Sequence, residues 1–167
     1  MATTRTAQIC MFAVLLAGLA GACGGKAKGG AAAESPGDGD PVGDVLRLVE
    51  QWRQGYEVRS LEAISTLYSH DDDVVRIQQG RPVQGWREVE NQLHGELGRS
   101  TSIYVRLKDI QVARLAPGAV AVTAGMAREA SDGVTTVAET GVLSLVLRRD
   151  GDAWLIVSEH YSFAPQS

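Results

Sequence analysis

From Thr101 to the C terminus, apolar and polar residues alternate along four long segments, which short turn sequences separate. Side chains of a strand point alternately to its two faces, so this period of two predicts strands. We place them at about residues 102–114, 119–129, 136–149 and 153–163. The breaks between them contain Pro117-Gly118, Asp132-Gly133 and Asp150-Gly151. Long strands joined by such short turns pair with their neighbours in the chain, so we expect an antiparallel meander.

Before Thr101 the apolar residues follow a helical period instead. The first helix is predicted to begin near Asp44, and its apolar face consists of Val45, Leu48, Val49, Trp52 and Tyr56. The second begins at about Ser60, with the face Leu61, Ile64, Leu67 and Tyr68. Gly85 opens the third, with the face Trp86, Val89, Leu93 and Leu97. Residues 74–77 predict a short strand and residues 78–82 a turn. Three helices before a meander indicate an α+β fold with the helices on one face of the sheet.

Residues 1–22 have the pattern of a signal peptide. Residues 9–19 are apolar and uncharged, but they are fewer than the roughly 20 that a membrane-spanning helix needs. The small residues Ala20-Gly21-Ala22 follow, as at a cleavage site, and Cys23 comes next. This arrangement resembles the lipobox of bacterial lipoproteins, in which the cysteine is lipid-modified and becomes the new N terminus. Ala20 stands where the lipobox usually has leucine, and an ordinary signal peptide cleaved near Ala22 is the alternative.

Lipidation would also explain the cysteine content. Cys10 would leave with the signal peptide, so Cys23 would be the only cysteine of the mature chain. We therefore expect an exported protein anchored to the cell envelope through Cys23. Gly24 rather than aspartate follows the cysteine, which favours the outer membrane where the cell has two. Residues 23–41 form a flexible linker rich in Gly, Ala, Ser and Pro, and residues 42–167 form the folded domain.

The charges of the domain argue against two classes of site. Residues 42–167 contain 13 Lys and Arg against 17 Asp and Glu, with the signs interspersed, so no basic face for a nucleic acid is predicted. His70 precedes Asp71-Asp72-Asp73, but consecutive aspartates cannot all face one ion and lack the spacing of a calcium loop. We expect a solvated helix end there, no metal site and no cofactor.

The C-terminal residues resemble a known family. They run Arg148-Arg149-Asp150-Gly151, then Trp154, alternating apolar residues and His160-Tyr161-Ser162. This is similar to the closing pattern of SnoaL-like domains in the nuclear-transport-factor-2-like superfamily. The segment 60–68 with the following aspartates, and the helix start Gly85-Trp86, resemble the family in the same order. The resemblance covers residues 42–167. It implies a cone-shaped α+β roll, in which a curved antiparallel sheet wraps around three helices and encloses a pocket.

The superfamily includes isomerases, cyclases, dehydratases and non-catalytic binding or assembly domains, so the fold alone leaves the function open. Ketosteroid isomerases of this fold use an aspartate base with a tyrosine and a protonated aspartate. A rough alignment places Trp52 and Ile77, or a neighbouring Gln, at two of those positions, and the third strand offers no buried aspartate. We therefore expect non-catalytic binding of a small apolar or aromatic ligand, or of a partner chain. The alternatives are a small metal-independent enzyme with His160 as general base, and a structural dimerisation module whose cone is filled by its own side chains.

Two groups of residues are candidates for the pocket. Regular alternation along the last strand puts Trp154 and Ile156 on the helix-facing side, and His160 and Ser162 would then line the interior. There His160 would serve as a general base, or as a structural residue that hydrogen-bonds its neighbours. The second group would stack a planar ligand or belong to the core, and it consists of Trp52, Tyr56 and Trp86. His94 is expected at the boundary of the third helix's apolar face.

The other face of the last strand predicts a partner. Helices cover only one side of the sheet, so apolar residues on the opposite side would form an exposed patch, which usually marks an interface. We expect a homodimer through this outer sheet face, formed by Val142, Val146, Leu155, Val157, Tyr161 and Phe163.

Overall fold

The computed structural model of the protein describes residues 41–164. The predicted signal peptide, Cys23 and the linker up to residue 40 lie outside these residues. The described chain contains the helices α1 (Pro41–Val58), α2 (Leu61–Ser65) and α3 (Trp86–Arg99). None of the helices among residues 41–164 is long and apolar enough to cross a membrane.

The helices follow the predicted apolar faces, with one shift at the start. α1 begins at Pro41 rather than near Asp44, because proline fits the first helical position, where its missing N–H needs no partner. The predicted apolar face of α1 is buried in full. Ser60 caps α2, since its hydroxyl accepts from the backbone N–H of Ala63 at 3.1 Å. α3 follows Gly85, whose φ of 84° lies in a region that glycine adopts without strain.

The six strands form one sheet, and their bounds are β1 (Val75–Gln78), β2 (Arg81–Gln84), β3 (Ser102–Ala116), β4 (Ala119–Ser131), β5 (Thr136–Asp150) and β6 (Ala153–Phe163). The strand order is β2-β1-β6-β5-β4-β3. The last four strands form the predicted antiparallel meander. β1 pairs with β6 in parallel, which joins the first hairpin to the meander.

One strand was not predicted. The sequence pattern indicated a turn over residues 78–82, whereas the structure has a two-residue turn, Gln79-Gly80, followed by β2. Both turn residues have positive φ, 51° and 73°, as a type I′ hairpin turn requires. β2 lies at the edge of the sheet, where Pro82 removes no hydrogen bond from an interior ladder. A short polar edge strand has no hydrophobic alternation by which to predict it.

The helices cover one face of the meander and form the core with it. Six large apolar side chains on the inward face of β4 and β5 are each at most 3% exposed, and they are Val120, Val122, Met126, Leu143, Leu145 and Leu147. α1 packs against β3 along the same face. The outer face is more open, with Val142 at 51% exposure. This architecture confirms the predicted α+β fold.

The last strand does not alternate regularly, and the irregularity decides what faces the interior. Leu147 pairs with Ile156 and Val146 with Ser158, so Val157 has no partner on β5. An extra residue of this kind is a β-bulge, and it shifts the alternation of side chains by one position. Trp154 and Ile156 face the core as predicted. Beyond the bulge, however, the inward residues are Glu159 and Tyr161.

The bulge corrects two predictions made from regular alternation. His160 is exposed and lies opposite Ser144, while Ser162 lies opposite Val142 on the outer face, so the predicted inward orientation of both residues is wrong. Conversely, Tyr161 is 2% exposed and Phe163 packs against the core, although the alternation placed both on the outer face. The outer face keeps Val142, Val146 and Leu155, and Val157 is half-buried at the bulge.

Candidate functional site

A buried guanidinium lies at the centre of the interior. Arg76, on β1, is fully buried, and burial of an unpaired charge would cost several kcal/mol. Its Nε donates to Glu159 Oε1 at 2.9 Å and its Nη1 to Gln92 Oε1 at 2.7 Å. Its Nη2 lies within 2.6–2.9 Å of oxygens of Tyr56, Glu96 and Tyr161. Every nitrogen of this guanidinium therefore has an acceptor.

Glu159 is the carboxyl partner on β6. Its Oε2 accepts from Trp52 Nε1 at 3.0 Å and from the Tyr68 hydroxyl. Complete burial raises the pKa of Glu159 from its ordinary 4.5 to about 8, and the Trp52 hydrogen bond opposes this rise only in part.

The second carboxylate, Glu96 on α3, bridges two cations. Its Oε2 lies 2.6 Å from Arg76 Nη2 and its Oε1 lies 2.7 Å from Arg128 Nη1. The Tyr161 hydroxyl donates to the same carboxylate at 3.0 Å. We call this assembly the buried polar network, and its members are Trp52, Tyr56, Tyr68, Arg76, Gln92, Glu96, Arg128, Glu159 and Tyr161. The network occupies the interior, where the resemblance to SnoaL-like domains implied a pocket.

The network could move a proton, because a buried carboxyl with a strongly raised pKa beside arginine and tyrosine is typical of acid–base sites. Access argues against such chemistry in this conformation. Both oxygens of Glu159 are occupied by neighbouring side chains, and the residue is 0% exposed. Glu159 lines none of five clefts found at the surface of residues 41–164.

The predicted aromatic group does not assemble as a stacking site. Trp52 and Tyr56 are together in the network, with ring centroids 4.6 Å apart. Trp86 is half-buried and stacks on His70 at 4.1 Å instead. Neither His160 nor Ser162 approaches these rings, because both lie on the outer face. Of the five predicted pocket residues, only Trp52 and Tyr56 are in contact with each other among the described residues, and both belong to the buried polar network.

The remaining candidates lie at the surface. His94 is exposed on α3. Asp71 accepts from Arg148 Nη2 at 2.5 Å and from the Ser69 hydroxyl at 2.7 Å, contacts that lower the pKa of Asp71. Within residues 41–164 no group of three or more His, Cys, Asp and Glu side chains could hold a metal ion.

The charged members of the network were not predicted from the sequence. Two signals were present. Arg76 interrupts a short apolar strand two residues after Val74, a position on the same face as that buried valine. Glu96 follows Leu93 by three residues and precedes Leu97, so it lies on the buried face of α3. Opposite charges at two core positions predict a buried ion pair.

An open cleft lies beside the network. It has a volume of about 510 Å³ and lies between the C-terminal end of α3, the β1–β2 turn and the β4–β5 hairpin. We call it the hairpin cleft, and its lining includes Gln78, Arg99, Arg128, Val137 and Phe163. Arg128 belongs to both regions, because one side of its guanidinium pairs with Glu96 and the residue also lines the cleft.

Comparisons with known proteins agree with this architecture. A family model described as the SnoaL-like domain matches residues 45–166. A candidate dehydratase of the NTF2-like family from Streptomyces avermitilis is 21% identical, with a TM-score of 0.69, over 75% of this chain and 96% of that one. A candidate scytalone dehydratase from Novosphingobium aromaticivorans DSM 12444 is 9% identical, with a TM-score of 0.68, over 74% and 84%.

A third similar structure is a nuclear transport factor 2 (NTF2-like) superfamily protein from Salmonella enterica serovar Typhimurium LT2. It is 16% identical, with a TM-score of 0.67, over 75% of this chain and 92% of that one. At such identities these structures establish the fold alone. No match was found among curated proteins. Because the family model spans well over half of the chain, the chain belongs to the SnoaL-like domain family.

Proposed function

We propose that this chain is an exported lipoprotein whose SnoaL-like domain binds a small molecule without converting it. One observation carries the proposal. The interior, where a reacting group would have to meet its substrate, is occupied by the buried polar network, whose central arginine and carboxyl have partners at every polar atom. The hairpin cleft is open to solvent and large enough for a small organic molecule.

The anchor in this proposal rests on the residues around Cys23. A lipidated cysteine followed by residues 24–40 would tether a domain that begins at Pro41. At roughly 5–6 Å × √n, a flexible linker of this length reaches on the order of 20–25 Å from the membrane. Cys23→Ser should release the protein from the membrane fraction, and globomycin should block its processing. Retention of the Cys23→Ser chain in the membrane would contradict the anchor.

Native mass spectrometry of the full chain, purified in detergent from its own host, tests the binding function. A co-purified small molecule, released when the protein is denatured, is the expected result. Incubating that molecule with fresh protein should return it unchanged. A spectrum that contains only the mass of the chain itself would contradict the binding proposal.

If the domain is an enzyme, its general base would be Glu159 rather than His160. His160 is exposed on the outer face, whereas Glu159 has the raised pKa that general acid–base catalysis favours, and two similar structures are candidate dehydratases. A substrate would reach Glu159 only after side chains of the network moved. Conversion of the co-purified molecule by the wild-type chain, slowed about 10²–10⁴-fold by Glu159→Gln, would favour the enzyme.

A homodimer through the outer sheet face remains part of the proposal. The patch now consists of Val142, Val146 and Leu155, with Val157 at its edge, because Tyr161 and Phe163 face the core. Val142, at 51% exposure, is the most accessible of them. Light scattering on the Cys23→Ser chain should give the mass of a dimer at micromolar concentration and that of a monomer after Val142→Asp. A monomeric Cys23→Ser chain would contradict this interface.

A further inference from the structure

Arg128 has one unpaired edge. Its side chain is 12% exposed, and its Nη1 lies 2.7 Å from Glu96 Oε1. Its Nε is buried and has no hydrogen-bond partner in the structure. Proteins seldom leave a buried donor unpaired, and such a donor calls for an explanation. Arg128 lines the hairpin cleft, and it also lines a second cleft of about 570 Å³ beside β3, β4 and β5.

The surroundings of Arg128 combine charge with apolar surface. The guanidinium carbon lies 5.9 Å from the centre of the Phe163 ring. Val137, which is 44% exposed, lines the same cleft. Arg99 adds a second cation at the C-terminal end of α3. Cations beside an aromatic ring and an aliphatic side chain suit a ligand with an anionic end and an apolar body.

Two carboxylates also line the cleft, and they limit the charge of the ligand. Asp132 is committed to its own turn, because its Oδ1 accepts from the backbone N–H groups of Val134 and Thr135 at 2.8 and 2.7 Å. Glu139 lies directly opposite Arg128 in the pairing of β4 and β5. Its negative charge would repel a dianion more strongly than a monoanion.

We infer that the hairpin cleft binds a small monocarboxylate with an apolar body. The carboxylate pairs with the guanidinium of Arg128, whose buried Nε becomes accessible when the side chain turns toward the cleft, and the body contacts Phe163 and Val137. A planar guanidinium matches a carboxylate in geometry and charge, which an ammonium group does not. This inference rests on the proposed binding function and names the class of ligand for it.

Benzoate is a suitable probe and benzamide its uncharged counterpart. Titrations of the full chain, followed by saturation-transfer NMR, should show benzoate binding at least about tenfold more tightly, because a charge-assisted hydrogen bond is stronger than a neutral one. Val137→Glu adds a negative charge at an exposed position of the cleft and should weaken benzoate binding by a similar factor. Val134→Glu is the matched control, because Val134 is 96% exposed on the hairpin turn and does not line the cleft.

Arg128→Lys tests the pairing itself. The lysine keeps a positive charge near Glu96 but lacks the planar fork, so benzoate affinity should fall about tenfold while benzamide affinity stays unchanged. Circular dichroism spectra would establish that the variant is folded, and Val137→Glu decides the matter if it is not. Equal affinity for benzoate and benzamide, or benzoate binding that ignores Val137→Glu, would overturn the carboxylate inference. A co-purified neutral molecule would overturn it too, yet leave the binding function standing.

Discussion

The buried polar network and the hairpin cleft share Arg128 but differ in how completely their polar groups are paired. In the network the guanidinium of Arg76 has five oxygen partners, and both oxygens of Glu159 are occupied. The Nε of Arg128, a residue that lines the cleft, has none, and the cleft is open to solvent. A buried cluster whose central groups are all paired resists disturbance and specifies the packing around it. An incompletely paired group beside an open space has capacity for a ligand. Substitutions in the two regions should therefore affect different properties.

The largest expected effect comes from removing the centre of the network. Arg76→Met leaves Glu96 and Glu159 without their shared cation, and breaking a buried pair in this way costs about 3–5 kcal/mol of unfolding free energy. Urea denaturation of the Cys23→Ser chain would measure it.

Arg148→Met is the matched control for that substitution. Arg148 pairs with Asp71 at 2.5 Å, but both side chains are about half exposed, so its loss should cost only about 0–1 kcal/mol. Equal costs for Arg76→Met and Arg148→Met would mean that the network does not hold the interior together.

A smaller effect should appear in the pH dependence of stability. The pKa of Glu159 is about 8 in the folded chain against an ordinary 4.5, so folding takes up a proton between these pH values. The unfolding free energy should therefore fall as pH rises from about 4.5 to about 8, by at most roughly 1.4 kcal/mol per pH unit. Glu159→Gln should remove this contribution.

Glu50→Gln is the appropriate comparison. Contacts with Arg53 lower the pKa of Glu50 to about 2, so its contribution to stability is lost only as pH falls below about 4.5. The Glu50→Gln chain should keep the fall between pH 4.5 and 8. A wild-type chain whose stability is flat across that window would contradict the raised pKa of the buried Glu159.

The smallest effect is expected for His160, which lies on β6 next to Glu159 but on the opposite face of the sheet. His160 is exposed, and substitutions at such surface positions usually change stability by less than about 0.5 kcal/mol. His160→Ala should therefore leave both the denaturation midpoint and benzoate affinity unchanged. A loss of several kcal/mol would place His160 in the interior and contradict the bulge at Val157.

The regular parts of this fold could be predicted from the sequence. Alternation of apolar residues predicted β3 to β6 within a few residues, because β4 to β6 each have a buried face and β3 has one in its first residues. The apolar face of α1 was equally plain, from Val45 to Tyr56. The start of α1 at Pro41 and the short polar strand β2 were not predicted. Their positions depend on local backbone geometry and on an edge position rather than on hydrophobic patterning.

The site could not be predicted to the same degree, for one physical reason. A β-bulge adds a single residue and leaves no mark in composition, yet it inverts every side chain that follows it. Because of the bulge at Val157, His160 and Ser162 face outward, and Glu159 and Tyr161 face inward. Arg76 and Glu96 were overlooked because hydrophobic patterning assigns charged residues to the surface. Their ion pairs with each other and with Glu159 and Arg128 offset the free-energy cost of burying these charges.

The central claim is that the interior is closed by its own side chains and that ligand binds in the hairpin cleft. Intermolecular nuclear Overhauser effects between benzoate and the isotope-labelled chain test this claim most directly. We expect cross-peaks from the benzoate ring protons to the methyl groups of Val137 and to the ring of Phe163. Cross-peaks to the rings of Trp52 and Tyr56 instead would place the ligand inside the network and contradict the account.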